Sequence, residues 1–428
     1  MRELKKGVIL FALGWRSLQV QAATDLSWQA SIQEVARNNA QMQAAREDVS
    51  ATQQNVIARK SAFFPQVSAS FGYRYGGAES VPGSPAPSTF NDPVGNWTTG
   101  LRVDQSLFSG WADEARVDQA EALSRKAERS LEQVRAQVSS ELKAAYANLV
   151  YAQKAIRLQD DIIGRRQENL RLVELRFESG RENKGSVLLS QAYLSQARYE
   201  ALQARNTMQV AGAQLARILG RDERENLRVT DDVPVIKPPT PQPDFAALAT
   251  SSVEYRLAAT DTESAQSAVT LARSAYFPKL AFAGEYGRQG DAFFPQRDSW
   301  SLALSVNYPL FTSGLNRAET QVAVSRLNAA QETLVNLRRQ LSSRLQQSYA
   351  AWTEAEERVR VEETFLKAAQ LRAEIARSKY NNGLISFEDW DQIESELVTR
   401  QRTVLSSQRD RVTAEASFEL AQGKGVIP

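Results

Sequence analysis

AFFPQVSASFGY, residues 62–73, returns 213 positions later as AYFPKLAFAGEY, residues 275–286. Each copy sets Phe-Pro at the close of a helix-compatible run, because proline cannot continue a helix. Each then alternates apolar with polar or small residues, the period of a strand with two unlike faces. Two further pairs follow in the same order. SLFSG (106–110) answers PLFTSG (309–314), and RFESG (176–180) answers KYNNG (379–383), both near an offset of 203. Three ordered matches mark an internal duplication. The Pro-rich stretch DDVPVIKPPTPQPD (231–244) reads as a connector between a first repeat, 23–230, and a second, 245–428.

Each repeat follows one plan. A helix over 28–61, or 244–274, precedes the Phe-Pro and is rich in Ala, Gln, Arg and Glu. Two strands follow: 67–75 and 97–107 in the first repeat, and in the second the runs carried by Leu280, Phe282 and Tyr286, then by Trp300 to Leu310. Turn-rich loops at 76–96 and 287–299 join them. Long helical runs come next, 113–176 and 318–380, with apolar residues at three-four spacing and no proline. The first would be about 96 Å long at 1.5 Å per residue, which points to coiled-coil packing rather than a compact core. A glycine turn and a return helix end each repeat, near 219 and 422. The leading and return helices are each roughly half the long one, so two half-length helices fit along one full-length helix.

The chain of 428 residues contains no Cys and no His. Disulfides, thiol nucleophiles, imidazole catalysis and the usual zinc sites are excluded. No P-loop, metal cluster or catalytic triad is visible, so neither enzymatic activity nor a cofactor is expected. With 52 basic residues against 50 acidic, there is no basic excess of the kind nucleic acid attracts. Residues 1–22 read as a secretory signal peptide: Arg2, Lys5 and Lys6 lead an apolar run from Gly7 to Trp15, with cleavage near Ala22 or Ala23. Arg16 is atypical there, and the other reading is an amphipathic N-terminus. Beyond it no run approaches the ~18 apolar residues of a spanning helix, a test that β-barrel strands escape.

The four strands, at about ten residues each, are long enough to cross a bilayer when tilted. Aromatic residues sit near their ends: Phe64, Tyr73, Trp97 and Phe108, then Phe277, Tyr286, Trp300 and Phe311. Such girdles mark the interfaces of membrane barrels. Lipid demands a closed sheet, and barrels of this kind start at about eight strands. One chain supplies four, so a membrane span requires at least two chains. The other reading is a soluble four-stranded sheet with one core face.

Taken in this order, twice, these motifs resemble the TolC-like outer membrane efflux proteins, the outer membrane factors, over nearly the whole chain after the first residues. The resemblance implies an α+β membrane protein: a homotrimer in the Gram-negative outer membrane, spanning into the periplasm. Its transmembrane β-barrel is shared between three subunits and is continuous with a long α-helical coiled-coil barrel. It implies a passive export duct of a tripartite efflux pump or type I secretion system. Substrates would arrive from an inner-membrane RND, ABC or MFS transporter through a periplasmic adaptor, the membrane fusion protein, with lipid around the barrel and no nucleic acid partner. A periplasmic coiled-coil adaptor or scaffold without a pore is the alternative.

On this plan the turns at Gly180 and Gly383 form the periplasmic tip. The resemblance implies adaptor contact at Phe177, Gly180, Tyr380, Gly383 and Leu384. Relatives carry aspartates six and nine residues after this glycine as a constricting ring. Here the sixth is Asp389, while the ninth is Gln392, with Glu388 and Asp391 close by. Three copies of Asp389 around one axis would repel one another and attract cations. The same residues also read as a capping box, with Ser386 as N-cap and Asp389 three residues on; the two roles can coexist. An arginine lock of the kind some relatives have does not carry over to the second repeat, where Leu384 and Ile385 follow Gly383.

Overall fold

The computed structural model describes residues 24–76, 94–221 and 227–428. The expected signal peptide (1–22) and most of the first hairpin loop lie outside these residues. In chain order the first repeat runs β1 (Thr24–Leu26), α1 (Trp28–Asn38), α2 (Ala40–Lys60), β2 (Gln66–Gly76), β3 (Val94–Phe108), α3 (Ala112–Glu178) and α4 (Lys184–Leu219). After β4 (Leu227–Val229) come α5 (Phe245–Ser251), α6 (Val253–Arg273), β5 (Lys279–Gly290), β6 (Arg297–Asn307), α7 (Leu315–Asn381) and α8 (Phe387–Ala421).

The leading helices are not continuous, as the sequence suggested, but each is broken once. The breaks fall at Asn39 and Ser252, again 213 residues apart. At both, an extended residue offers its side-chain oxygen to the next turn. Asn39 accepts from the Gln41 and Met42 amides at 3.0 and 3.1 Å, and Ser252 from the Tyr255 amide at 3.3 Å. A side-chain cap satisfies amides that a helix start leaves without partners. Helices α3 and α7 each hold 67 residues, slightly more than the periodicity indicated.

The backbone contacts group the chain into two compact units. One contains 24–37, 142–234 and 362–409. Here lies an element not foreseen, the parallel pair β1–β4, with Thr24 opposite Leu227 and Leu26 opposite Val229. Asp231 secures it by accepting from the Trp28 amide at 3.1 Å and the Tyr146 hydroxyl at 2.7 Å. Three-residue strands carry too little period-two pattern to be seen in sequence. The helices of this unit pack through Ile162, Ala197 and Val398, and through Ala369, Ala373 and Leu397.

The other unit contains 38–141, 235–361 and 410–428. Its helical core gathers Leu341, Leu345, Tyr349 and Trp352 of α7 around Ala249 of α5 and Phe418 of α8. The same unit holds the four-stranded sheet, in the order β2-β3-β5-β6 with every pairing antiparallel. Gly100 of β3 faces Gly287 of β5. A β-carbon on Gly287 would lie 2.5 Å from the Thr99 carbonyl oxygen and 3.2 Å from Gly100 Cα, both immovable backbone. By contrast, a β-carbon on Gly76 meets nothing within 4 Å. Gly287→Ala should therefore lower the thermal midpoint of the sheet's circular dichroism signal, at a cost of about 1–3 kcal/mol, while Gly76→Ala leaves it in place. Equal midpoints would contradict the close approach of β3 and β5.

Candidate functional site

The helix ends at the two tip turns are built alike. Gly180 and Gly383 both take φ of 72°, a left-handed conformation that glycine adopts without a side-chain clash. The Gly180 amide donates to Phe177 O at 2.9 Å and the Arg181 amide to Arg176 O at 2.8 Å. In α7 the Gly383 amide donates to Tyr380 O at 2.9 Å and the Leu384 amide to Lys379 O at 2.9 Å. These paired bonds satisfy carbonyls left open at a helix C-terminus and turn the chain back on itself.

Tyr380 departs from its expected role. Instead of facing a partner it is wholly buried. Its ring stacks on Trp390 of α8, with centroids 4.3 Å apart and planes 11° apart. The Arg176 guanidinium of α3 lies 4.5 Å from the ring centroid on a π face. The same guanidinium donates to Tyr380 O at 2.6 Å. The phenol donates to Glu182 Oε2 at 2.8 Å, and Glu182 Oε1 accepts from Ser186 Oγ at 2.9 Å and the Asn183 amide at 3.1 Å. Burial opposes charge on Glu182. The bonds from Asn183, Tyr380 and Ser186, with Arg176 nearby, outweigh it and hold the carboxyl below its ordinary value. Burial, and then Glu182, push the Tyr380 hydroxyl upward. Val173, Ala376 and Phe387 complete the cluster. Of the other residues assigned to the tip surface, Phe177 is 41% and Leu384 70% exposed. Gly180 and Gly383 are also exposed.

The three acids differ in their surroundings. Asp389 closes the capping box: its amide donates to Ser386 Oγ at 3.0 Å, and Ser386 Oγ donates to Asp389 Oδ2 at 2.8 Å. Glu388 is exposed. Asp391 is largely covered and ion-paired with Arg166 of α3 at 2.9 Å. Arg166 also lies 4.7 Å from the Tyr193 ring centroid. Burial, followed by the Asp391 carboxylate, raises the Tyr193 hydroxyl. Sequence reasoning missed Arg166, Arg176, Glu182 and Trp390 as members of the site. An arginine of the first repeat, Arg176, four residues before Gly180, takes part instead.

The sheet, in its own unit, has two distinct faces. Directly paired residues share a face, so the register can be read across all four strands. One face carries Val67, Phe71, Leu101, Leu302, Leu304 and Val306. The opposite face carries Ser68, Ser70, Arg102, Asp104, Glu285 and Ser305. Among the described residues the apolar face is uncovered: Leu302 is 69% and Val67 67% exposed. Phe64 and Phe277 lie just before β2 and β5 and Phe108 ends β3, whereas Tyr73, Trp97, Trp300 and Tyr286 lie three or four residues inside the loop ends of their strands and Phe311 lies four residues beyond β6. Phe64, Tyr73, Tyr286, Trp300 and Phe311 are exposed; Phe277, at 39%, is only marginally so, and Trp97 and Phe108 are half-buried. Trp97 packs on Tyr73 at 4.5 Å, and Phe108 on Trp111, which in turn meets Phe277 at 4.7 Å. Nine residues separate Phe64 from Tyr73, and Phe277 from Tyr286. At about 3.3 Å per residue and a tilt near 40°, each spacing projects to about 23 Å, close to the height of a barrel's apolar band.

The outer membrane efflux protein family matches the chain over residues 31–221 and 251–424. The chain belongs to that family. Membership places it in the Gram-negative outer membrane, reaching into the periplasm. Among curated relatives, the outer membrane efflux protein BepC of Brucella suis is 21% identical over 428 residues, covering 99% of this chain and 90% of BepC. The cation efflux system protein CusC of Escherichia coli is 20% identical over 303 residues. That match covers 67% of this chain but only 63% of CusC. The solved outer-membrane channel OprN superposes with a TM-score of 0.81 at 20% identity, covering 94% of this chain and 90% of OprN. The solved channels share its fold, a helical barrel with a β-barrel, and membership of the family favours a membrane sheet over a soluble one for this efflux protein.

Glu182 offers a local test of the tip. A carboxyl held below its ordinary value contributes order above that value and loses it as pH falls through the depressed one. Glu182→Gln should speed amide hydrogen exchange around Gly180–Ser186 at pH 7 by about tenfold or more, the scale of one charge-assisted bond. The difference from the unsubstituted protein should vanish once the pH is low enough to protonate Glu182. Equal exchange at pH 7 would show that this bond does not hold the turn.

Proposed function

We propose that three copies of this chain pair β2 of one with β6 of the next and so close a twelve-stranded barrel. The barrel serves as the passive outlet of a tripartite efflux pump or type I secretion system. The observation that carries this reading is the sheet itself: among the described residues it has an uncovered apolar face, a polar opposite face and two unpaired edges. Lipid on one side and water on the other suit those faces. Residues 1–22 act as the export signal. The connector at 231–244 joins two copies of one ancestral repeat, 23–230 and 245–428. No catalytic step is involved; energy comes from an inner-membrane transporter of the RND, ABC or MFS class, acting through a periplasmic adaptor.

The tip turns are the part that meets the adaptor, through exposed Phe177 and Leu384 and the backbone at Gly180 and Gly383. Arg176, Tyr380 and Glu182 hold the two turns of each chain together, so opening the tip means breaking their contacts. Asp389, exposed and repeated three times about the axis, forms the constricting carboxylate ring while also capping α8. Glu388 adds to the ring, whereas Asp391, neutralised by Arg166, contributes less.

Planar lipid bilayers test this. The purified protein should produce discrete conductance steps that favour cations and are blocked by polyvalent cations. Asp389→Ala should weaken both the preference and the block, and Tyr380→Phe should lengthen the open periods. Bilayers that stay silent would contradict the duct, and unchanged cation block in Asp389→Ala would confine Asp389 to its capping role.

A further inference from the structure

The water-facing side of the sheet carries its charge unevenly. The strand registers put six charged residues on that face among the described residues: Arg74, Arg102, Asp104, Lys279, Glu285 and Arg297. At the end near the helices, the signs are mixed. Arg102 donates to both oxygens of Asp104, at 2.8 and 2.9 Å, and faces Glu285 across β3 and β5. Lys279 lies further along β5, opposite Asn307. At the hairpin-loop end, the strands offer this face only Arg74, opposite Asn96, and Arg297, opposite Gln289. Both are exposed.

The carboxylates that the strands carry on that face are distant, and the nearest acid in the described hairpin loop is Asp291, two residues beyond Gln289, the partner of Arg297. Glu285 pairs with Ser301, four residues from Arg297 along β6, and Asp104 pairs with Gln66, eight residues from Arg74 along β2. Those separations are about 13 and 26 Å at 3.3 Å per residue. Both exceed the screening length of about 8 Å in physiological salt. The acid beside Arg297, Asp298, points to the other face and takes Arg288 at 2.7 Å. Its charge is therefore spent outside the lumen.

We propose that the loop end of the lumen is a collar that binds polyvalent anions. The inference rests on the barrel reading above, which brings β2 of one copy beside β6 of the next. Each Arg74 then neighbours an Arg297 of another copy on the next strand, at the same end of the barrel. Like charges on adjacent strands repel. An anion with several phosphate or carboxylate groups relieves that repulsion, and guanidinium groups bind such oxygens in bidentate fashion. Six guanidinium groups would then ring the exit. The collar is opposite in sign to the carboxylate ring proposed at the tip.

Inositol hexakisphosphate is a suitable probe, added to each chamber in turn while single-channel current is recorded in 0.1 M KCl. It should block from the loop side alone, and the block should fade in 1 M KCl, where screening shortens to about 3 Å. Arg74→Ser with Arg297→Ser should weaken the block about tenfold or more. The double lysine variant should keep most of it. Arg288→Ser, which removes the same charge from the opposite face, should leave it unchanged. No block of the unsubstituted protein, or equal block of the double serine variant, overturns the collar while leaving the channel intact. Absence of any conductance would instead overturn the barrel, and the collar with it.

Discussion

Strands β2 and β6 each present a row of backbone amides and carbonyls that no other strand among the described residues accepts. In water such an edge is solvated and costs little. In hydrocarbon each unpartnered group costs several kcal/mol. With roughly half the groups of an eleven-residue strand directed outward, the two edges together would cost tens of kcal/mol, well above the 5–15 kcal/mol of a typical domain. No side-chain contact offsets such a term. Once the apolar face of the sheet is given to lipid, closure by further copies of the chain is a physical requirement, and the assembly and lumen follow from it.

The same duplication that supplies the strands supplies the tip. The two turns share their glycine geometry and hydrogen bonds, yet the residues around them have diverged. The first repeat contributes a cation and an anion, Arg176 and Glu182; the second contributes the aromatic pair Tyr380 and Trp390. A stacked phenol between a guanidinium and an indole, with its hydroxyl on a carboxylate, depends on all four groups at once. Such an arrangement holds one geometry firmly and loses it when any member moves.

Much of this was legible in the sequence because it was written twice. Alternation gave the strands, and unbroken three-four spacing gave the long helices. The drop in offset from 213 to 203 is accounted for by the hairpin loop, which is longer in the first repeat. What escaped depended on contacts distant in the chain. The breaks at Asn39 and Ser252 look like ordinary polar residues until their side chains turn back on the next turn. The β1–β4 pair joins segments about 200 residues apart. Tyr380 read as a surface residue because its motif sits at a turn; only the packing of Trp390 and Arg176 around it shows why an aromatic belongs there. Asp389 kept two readings from sequence, and its bond with Ser386 supports the cap while its exposure leaves room for the ring.

Because the chain lacks cysteine, edge pairing can be read directly by introducing two. One cysteine is placed on the polar face of β2, at Ser68 or Ser70, and one on the same face of β6, at Ser301, Ala303 or Ser305, and the membranes are oxidised before denaturing electrophoresis. Disulfides need α-carbons within about 7 Å, a distance that the two outer strands of one four-stranded sheet do not reach within a chain. Covalent species ending at three chains, from at least one pairing and absent from each single-cysteine control, are the expected result. Monomers alone from every pairing would mean that β2 and β6 never meet, and that the barrel is not built this way.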